Sequence, residues 1–200
     1  MKSNERRSAI VESAINLFAE KGFRGATTRE LASVLGVTEP VLYQHFRTKK
    51  DLYSAIIEAK ACEAEEHAGE FLRLVHDHDD RALFTALGSL ILERFETDPK
   101  LFRLLLYSGL ERHELSDMFF DRVVADFLKM VAGYIRRRTR EGAFRTVDPA
   151  AAARGFIGMF HYHGMVHTLH PGRFGRISRK KLVAELVTVF LGGVVLPPRG

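Results

Sequence analysis

Tryptophan is absent from this 200-residue chain, cysteine occurs once and proline six times. A lone Cys62 has no internal partner, so a disulfide framework is excluded and a reducing, cytoplasmic setting is expected. Its thiol reads as a small helix side chain. Few prolines and no sustained alternation of apolar and polar residues leave little sign of a sandwich or barrel. No apolar run approaches the roughly 20 residues of a membrane span, so no membrane is expected as a partner. The opening MKSNERRSAI carries positive charge without an apolar core or small-residue cleavage site, and no secretory signal is expected there. Internal repeats and low-complexity segments are missing too. So are a nucleophile elbow, a phosphate-cradling glycine loop and paired carboxylates at a meaningful spacing. Neither an enzyme nor a cofactor is expected.

What is present is a hydrophobic content of 46%, enough for a real core, and a net charge of +5 that is unevenly placed. Residues 1–50 hold nine Lys and Arg against five Glu, so most of the basic excess lies in the first quarter. Phosphate neutralisation asks for such an excess, although many surfaces are basic.

Thr27 to Phe46, TTRELASVLGVTEPVLYQHF, is the stretch the rest serves. Thr27 and Glu30 fit a capping box, Leu31, Ala32 and Leu35 give an apolar stripe, and Gly36 stands where a helix needs a left-handed residue to stop. Val37 fills the corner. Thr38 is placed to cap a second helix, Glu39 to His45, whose first turn tolerates Pro40. At about 1.5 Å per residue that helix is about 10 Å long, too short and polar for a core but suited to a major groove about 12 Å wide. The pattern is that of a helix-turn-helix with Glu39–His45 as recognition helix.

The other elements follow in order. Residues 6–21 form an amphipathic helix through Ile10, Ala14, Leu17 and Phe18, ended by Gly22 with Phe23 as a plug. Thr48 and Asp51 suggest a cap for a long helix over 49–75. After the polar linker 76–80, helices are expected over 81–97, over 101–110 (buried) and over 114–140. The last of these turns Phe119, Phe120, Val123, Val124, Phe127, Val131 and Tyr134 inward. Two more run from Asp148-Pro149 to about 169 and from Ser178 to Leu196. The expected fold is all-α. Residues 1–50 would be a three-helix DNA-binding domain, a fourth helix over 49–75 a bridge, and 51–200 a carboxy-terminal helical domain. The run Arg136–Arg140 reads as a solvated face at a helix C-terminus, where cations are favoured.

Residues 6–55 resemble the DNA-binding domain of the TetR family of bacterial transcriptional regulators. The matching positions are Ile10, Ala14, Leu17, Phe18 and Gly22, then Thr27, Thr28, Ala32, Gly36 and Val37, then Leu42-Tyr43-Gln44-His45-Phe46 with Lys49 and Leu52. The departure is Glu39-Pro40, where many members carry a small or basic residue and Gly. A carboxylate there can accept from cytosine N4 or repel phosphate.

For the DNA surface, Thr38, Glu39, Val41 and Gln44 are expected to face the groove. Gln44 is equipped for a bidentate base contact and Val41 for a thymine methyl. Tyr43 would pack its ring on the domain and extend its hydroxyl to phosphate. His45, Thr27, Thr28, Arg29, Lys49 and Lys50 would clamp the backbone. Lys49 and Lys50 stand at the positive end of a helix, which costs roughly 0.3–1 kcal/mol each unless a phosphate docks there. Leu42 and Phe46 should be core.

The resemblance implies further features. Twelve of the fifteen Phe fall after residue 70, and a dense aromatic core is their default explanation. The family's carboxy-terminal domain encloses a ligand pocket, which here would be walled by Phe84, Leu87, Ile91, Phe95 and Phe102. Phe120, Phe127, Phe156, Phe160 and His163 would complete it for a small hydrophobic ligand. The last two helices would form a homodimer interface through Gly155, Gly158, Leu182, Leu186, Val189 and Phe190, presenting two recognition helices to a palindromic operator in double-stranded DNA. The function implied is a ligand-responsive repressor. The alternatives are a constitutive DNA-binding regulator, or a metal-responsive one using His161, His163 and His167.

Overall fold

A computed structural model describes residues 3–65, 68–173, 175 and 177–195. The side chains of residues 3, 4, 23, 24, 62–65 and 68–70 are not described, so the readings of Phe23 and Cys62 lie outside the described residues. The elements are α1 (Ser3–Gly25), α2 (Thr28–Val34), α3 (Glu39–His45), α4 (Lys49–Glu65), α5 (Ala68–His76) and α6 (Asp80–Thr97). Then come α7 (Pro99–Leu110), α8 (Glu114–Phe119), a π-helical turn (Phe120–Val124), α9 (Ala125–Arg140), α10 (Pro149–Leu169) and α11 (Arg179–Val194). Extended pairing among the described residues amounts to one isolated antiparallel bridge, Phe144 with Val195. The fold is all-α.

Side-chain caps start most of these helices, each satisfying an amide with no helical partner. Thr48 and Asp51 cap α4 reciprocally, Thr48 N to Asp51 Oδ2 at 2.9 Å and Asp51 N to Thr48 Oγ1 at 3.1 Å. Asp79 caps α6, Asp148 caps α10 and Ser178 caps α11. Gly22 breaks α1 at φ 68, and an added Cβ would come within 2.5 Å of Glu111 Oε1. Only glycine fits there.

The chain divides into two compact units, Met1–Glu66 with Lys100–Val123, and His67–Pro99 with Val124–Gly200. α7 and α8 therefore lie in the amino-terminal unit. In that unit Ile10, Ala14, Leu17 and Phe18 of α1 meet Leu31, Leu42, Phe46, Leu52, Ile56, Leu104 and Leu115 in one buried cluster. The carboxy-terminal unit is built around Phe84, which is fully buried. Its ring lies 4.9 Å from Phe156 and 4.8 Å from Phe190, and Phe156 lies 5.0 Å from Phe160.

Two helix predictions need correction. The helix expected over 114–140 is interrupted by the π-helical turn, which adds a residue to the winding. Phe120, in that turn, is 51% exposed, not inward. The helix expected over 49–75 is described on both sides of residues 66 and 67, as α4 and α5. In α7 only Leu104 and Ser108 are fully buried, and Leu110 is exposed.

The run Arg136–Arg140 is likewise not uniformly solvated. Arg138 turns inward and binds both oxygens of Asp80, Nε to Oδ1 at 2.8 Å and Nη2 to Oδ2 at 2.9 Å. It also reaches Glu141 at 2.6 Å, while Tyr134 donates to Asp80 at 2.5 Å. These bonds raise the Arg138 pKa further above its ordinary range and hold the Glu141 carboxyl below its own. Arg137 donates to the Val75 carbonyl at 2.7 Å. Arg136 and Arg140 are the exposed pair.

Candidate nucleic-acid interface

The capping box forms: Glu30 N donates to Thr27 Oγ1 at 3.1 Å and Thr27 N to Glu30 Oε2 at 3.1 Å. Lys21 adds a 2.9 Å ion pair, the main reason the Glu30 carboxyl is held below its usual value. After α2 the chain reverses at Gly36, φ 64, with Val37 N bonded to Ala32 O at 3.0 Å. Thr38 is extended (φ −89, ψ 156), and among the described residues its side chain makes no cap bond, contrary to expectation. Pro40 and the Thr38 carbonyl start the helix instead, the latter accepting from Val41 and Leu42 amides.

On α3 the inward side is Leu42, followed by Phe46, at 2% and 3% exposure. The outward side carries Tyr43, 43% exposed, and the exposed Gln44, with Thr38 and Pro40 exposed ahead of them. Glu39, Val41 and His45 are intermediate. The Glu39 carboxylate is held in place: Thr28 Oγ1 donates to Glu39 Oε2 at 3.0 Å. Thr28 is thereby occupied by Glu39, which limits its part as a phosphate clamp. Arg29, Lys49 and Lys50 are exposed, and Lys50 already pairs with Glu114 at 3.3 Å. The arrangement is a short rod with an apolar underside and a polar upper side flanked by cations, the geometry of base-edge reading with phosphate contacts beside it.

Two basic residues near α3 escaped the sequence reading. Arg7 of α1 places its guanidinium 4.8 Å from the centre of the Phe46 ring. Arg47 is exposed just past α3. Both were visible in the amino-terminal basic excess, but helical phase alone does not bring Arg7 to Phe46.

Residues 10–56 match the family described as bacterial regulatory proteins, tetR family, and residues 86–193 match the AefR-like transcriptional repressor carboxy-terminal domain. The chain belongs to the TetR family. It is a DNA-binding transcriptional regulator. The class A tetracycline repressor from transposon 1721 of Escherichia coli is 43% identical over 61 residues, 30% of this chain and 28% of that protein. KstR2, an HTH-type transcriptional repressor of Rhodococcus jostii (strain RHA1), is 22% identical over 196 residues, 96% of this chain and 92% of its own length. The structure of AibR with isovaleryl coenzyme A and operator DNA superposes with a TM-score of 0.71 at 21% identity, covering 92% of this chain and 97% of that one.

Of the ten residues expected at the ligand pocket, eight lie in the carboxy-terminal unit. Phe84, Leu87, Phe156 and Phe160 are buried, with the Phe156 ring packed between those of Phe84 and Phe160. Gly88 lets them close up, since a Cβ there would fall 2.5 Å from the Phe160 ring. Ile91, Phe95 and Phe127 are half-buried, and Phe102 and Phe120 belong to the amino-terminal unit. Two cavities occur elsewhere. One of about 300 Å³ is lined by Met159, Tyr162, His163, Ile177, Leu182 and Leu186, and one of about 240 Å³ lies between α9 and α10. His163 is thus the expected pocket residue that lines either one.

Of the expected interface residues, Gly155, Gly158 and Val189 are exposed, and Leu182 and Leu186 are half-buried. Phe190 is turned inward, 5.0 Å from Phe156, and is core. His161 stands edge-on to Phe95 at 5.1 Å, while the His163 and His167 rings stack at 6.3 Å. Burial lowers the His161 and His163 pKa values. Among the described residues no three His, Cys, Asp or Glu come together to hold a metal, so the metal-responsive alternative lacks support. Nor is any helix among them long and apolar enough to cross a membrane.

Proposed function

We propose that this regulator is a cytoplasmic homodimeric repressor that leaves a palindromic operator when a small hydrophobic molecule binds its carboxy-terminal unit. The observation that carries the DNA half is α3: Leu42 is sealed below while Tyr43 and Gln44 stand free above. Gln44, Val41, Thr38 and Glu39 read base edges. Tyr43, His45, Thr27, Arg29, Lys49 and Lys50 hold phosphate, with Thr28 orienting Glu39. Dimerisation through the exposed Gly155, Gly158 and Val189 face sets two copies of α3 on successive major grooves. The protein works by binding, without turnover.

The ligand half rests on the carboxy-terminal family match and on relatives of this architecture such as AibR, solved with an acyl thioester and operator DNA. The test has two steps. Selection from random duplexes should enrich a palindrome with half-sites about one helical turn apart. Screening short acyl and aromatic compounds against the bound complex should then release the DNA. A selected pool without two-fold symmetry would refute the dimeric reading, and release by none of the compounds would refute the ligand class.

A further inference from the structure

The 240 Å³ cavity between α9 and the first turns of α10 has an unusual lining. Leu128, Ala132 and Ala150 supply an apolar floor, and Lys129, Arg136 and Arg154 supply the rest. On α9 the residues fall at 128, 129, 132 and 136, one helical face, and on α10 at 150 and 154. The two helices therefore bring three cations around one small apolar hollow. Among the described residues Arg136 and Arg154 make no ion pair or hydrogen bond, and both are exposed. Of the acidic groups on these two elements, Asp126 pairs with Lys129 of the lining at 3.0 Å, which leaves Arg136 and Arg154 as the uncompensated cations, and Asp148 accepts from Ala151 N at 2.6 Å. Two free guanidiniums over a hydrophobic floor attract an anion that also has an apolar body, because each half alone leaves the other half of the site unsatisfied.

We infer that this cleft is a binding site for a small amphipathic anion, a short aliphatic chain ending in a carboxylate or phosphate. The chain lies on Leu128, Ala132 and Ala150, and the head takes charge-assisted hydrogen bonds from Arg136 and Arg154. A cavity below the roughly 300–1,000 Å³ typical of drug-sized ligands limits the body to a few carbons. The site differs from the Phe-rich core and from the cavity beside His163. It concerns binding alone and does not depend on ligand-driven release of DNA.

Calorimetric titration of the whole chain with hexanoate, hexylphosphate, 1-hexanol and inorganic phosphate tests it. Hexanoate or hexylphosphate should bind once per protomer, at least about tenfold tighter than the alcohol or phosphate. The double variant R136Q/R154Q, altered only at exposed side chains, should lose at least about tenfold. Arg140→Gln, at an exposed arginine of α9 outside the lining, should leave binding unchanged. Alcohol binding as well as hexanoate would make the cleft merely apolar. Inorganic phosphate binding equally would make it merely a cationic surface. Loss in His163→Ala but not in the double variant would move the site to the other cavity. Any of these results, or no binding at all, overturns the inference.

Discussion

The Thr28 hydroxyl donates to Glu39 Oε2 over 3.0 Å and so joins the first turns of α2 and α3. This bond fixes one oxygen of the Glu39 carboxylate. Glu39→Gln keeps an acceptor for Thr28 but removes a negative charge, so binding to every duplex should tighten at low salt. Thr28→Val removes the tether and should cost about 0.5–1.5 kcal/mol of stability. Anisotropy titrations and melting curves of the two variants check this, and weaker binding of Glu39→Gln to all duplexes would contradict it.

Base reading and phosphate clamping separate in a second pair of variants. Gln44→Ala should cost about 1–3 kcal/mol on the preferred site and change its preference. Lys49→Ala should weaken all sequences alike and reduce the salt slope by about one. Lys50, paired with Glu114, should matter less than Lys49. Affinities on the preferred and a scrambled duplex decide, and an equal loss on both for Gln44→Ala would refute its role.

Arg138 and Arg136 are neighbours in sequence with opposite surroundings. Arg138 and Asp80 are 14% and 19% exposed and bound bidentately. Arg138→Ala strands a largely buried carboxylate and should destabilise by about 3 kcal/mol. Arg136→Ala should stay within about 0.5 kcal/mol of the parent. Denaturant melts of both variants measure the contrast.

Glycines of α10 divide in the same way. A Cβ at Gly164 would run into the Phe95 ring, whereas at Gly158 nothing among the described residues lies within 4 Å. Gly164→Ala should destabilise by about 1–3 kcal/mol through overpacking. Gly158→Ala should stabilise the isolated protomer by up to about 1 kcal/mol through helix propensity. The same change should weaken dimerisation if this face meets a second copy. Sedimentation equilibrium of Gly158→Ala reads the second effect, and an unchanged dimer constant would remove Gly158 from the interface.

Acid should loosen the fold through its histidines. His113 Nδ1 accepts from Leu115 N at 3.3 Å to cap α8, and its ring lies 4.7 Å from Tyr53, whose hydroxyl burial pushes up to about 12. Burial holds His113, His161 and His163 below the ordinary His value, against the pull of Glu114 and Glu111 on His113. A lowered base binds protons better when unfolded. Stability is therefore complete above about pH 6.5 and is lost as pH falls from there towards the lowered folded values. His113→Asn keeps a capping acceptor without the titration. It should lose less Tm than the parent between about pH 7.5 and 5.5, and an equal loss would contradict the assignment.

What could be read in advance was local. Thr27 with Glu30, Thr48 with Asp51, and the Asp148 and Ser178 caps lie within three residues of the amides they serve, so spacing alone locates them. Leu42 and Phe46 as core, with Tyr43 and Gln44 outside, follow from helical phase. The rest depends on where distant helices dock. Glu39 meets Thr28 across eleven residues and Arg138 meets Asp80 across 58. Phe190 is one of several apolar residues of α11, and only packing against Phe84 decides that it turns inward. The π-helical turn adds one residue without altering the helical preference of its sequence, so helical phase alone places Phe120 in the core.

The central claim is that α3 meets base edges as one of a symmetric pair. It is tested most directly by titrating the 200-residue chain into a labelled duplex of the selected palindrome, at salt rising from about 0.05 to 0.2 M. Two protomers should bind each duplex, with log K falling linearly and steeply against log salt. A scrambled duplex should bind far more weakly. No binding at the lowest salt, or equal binding to both duplexes, would contradict it.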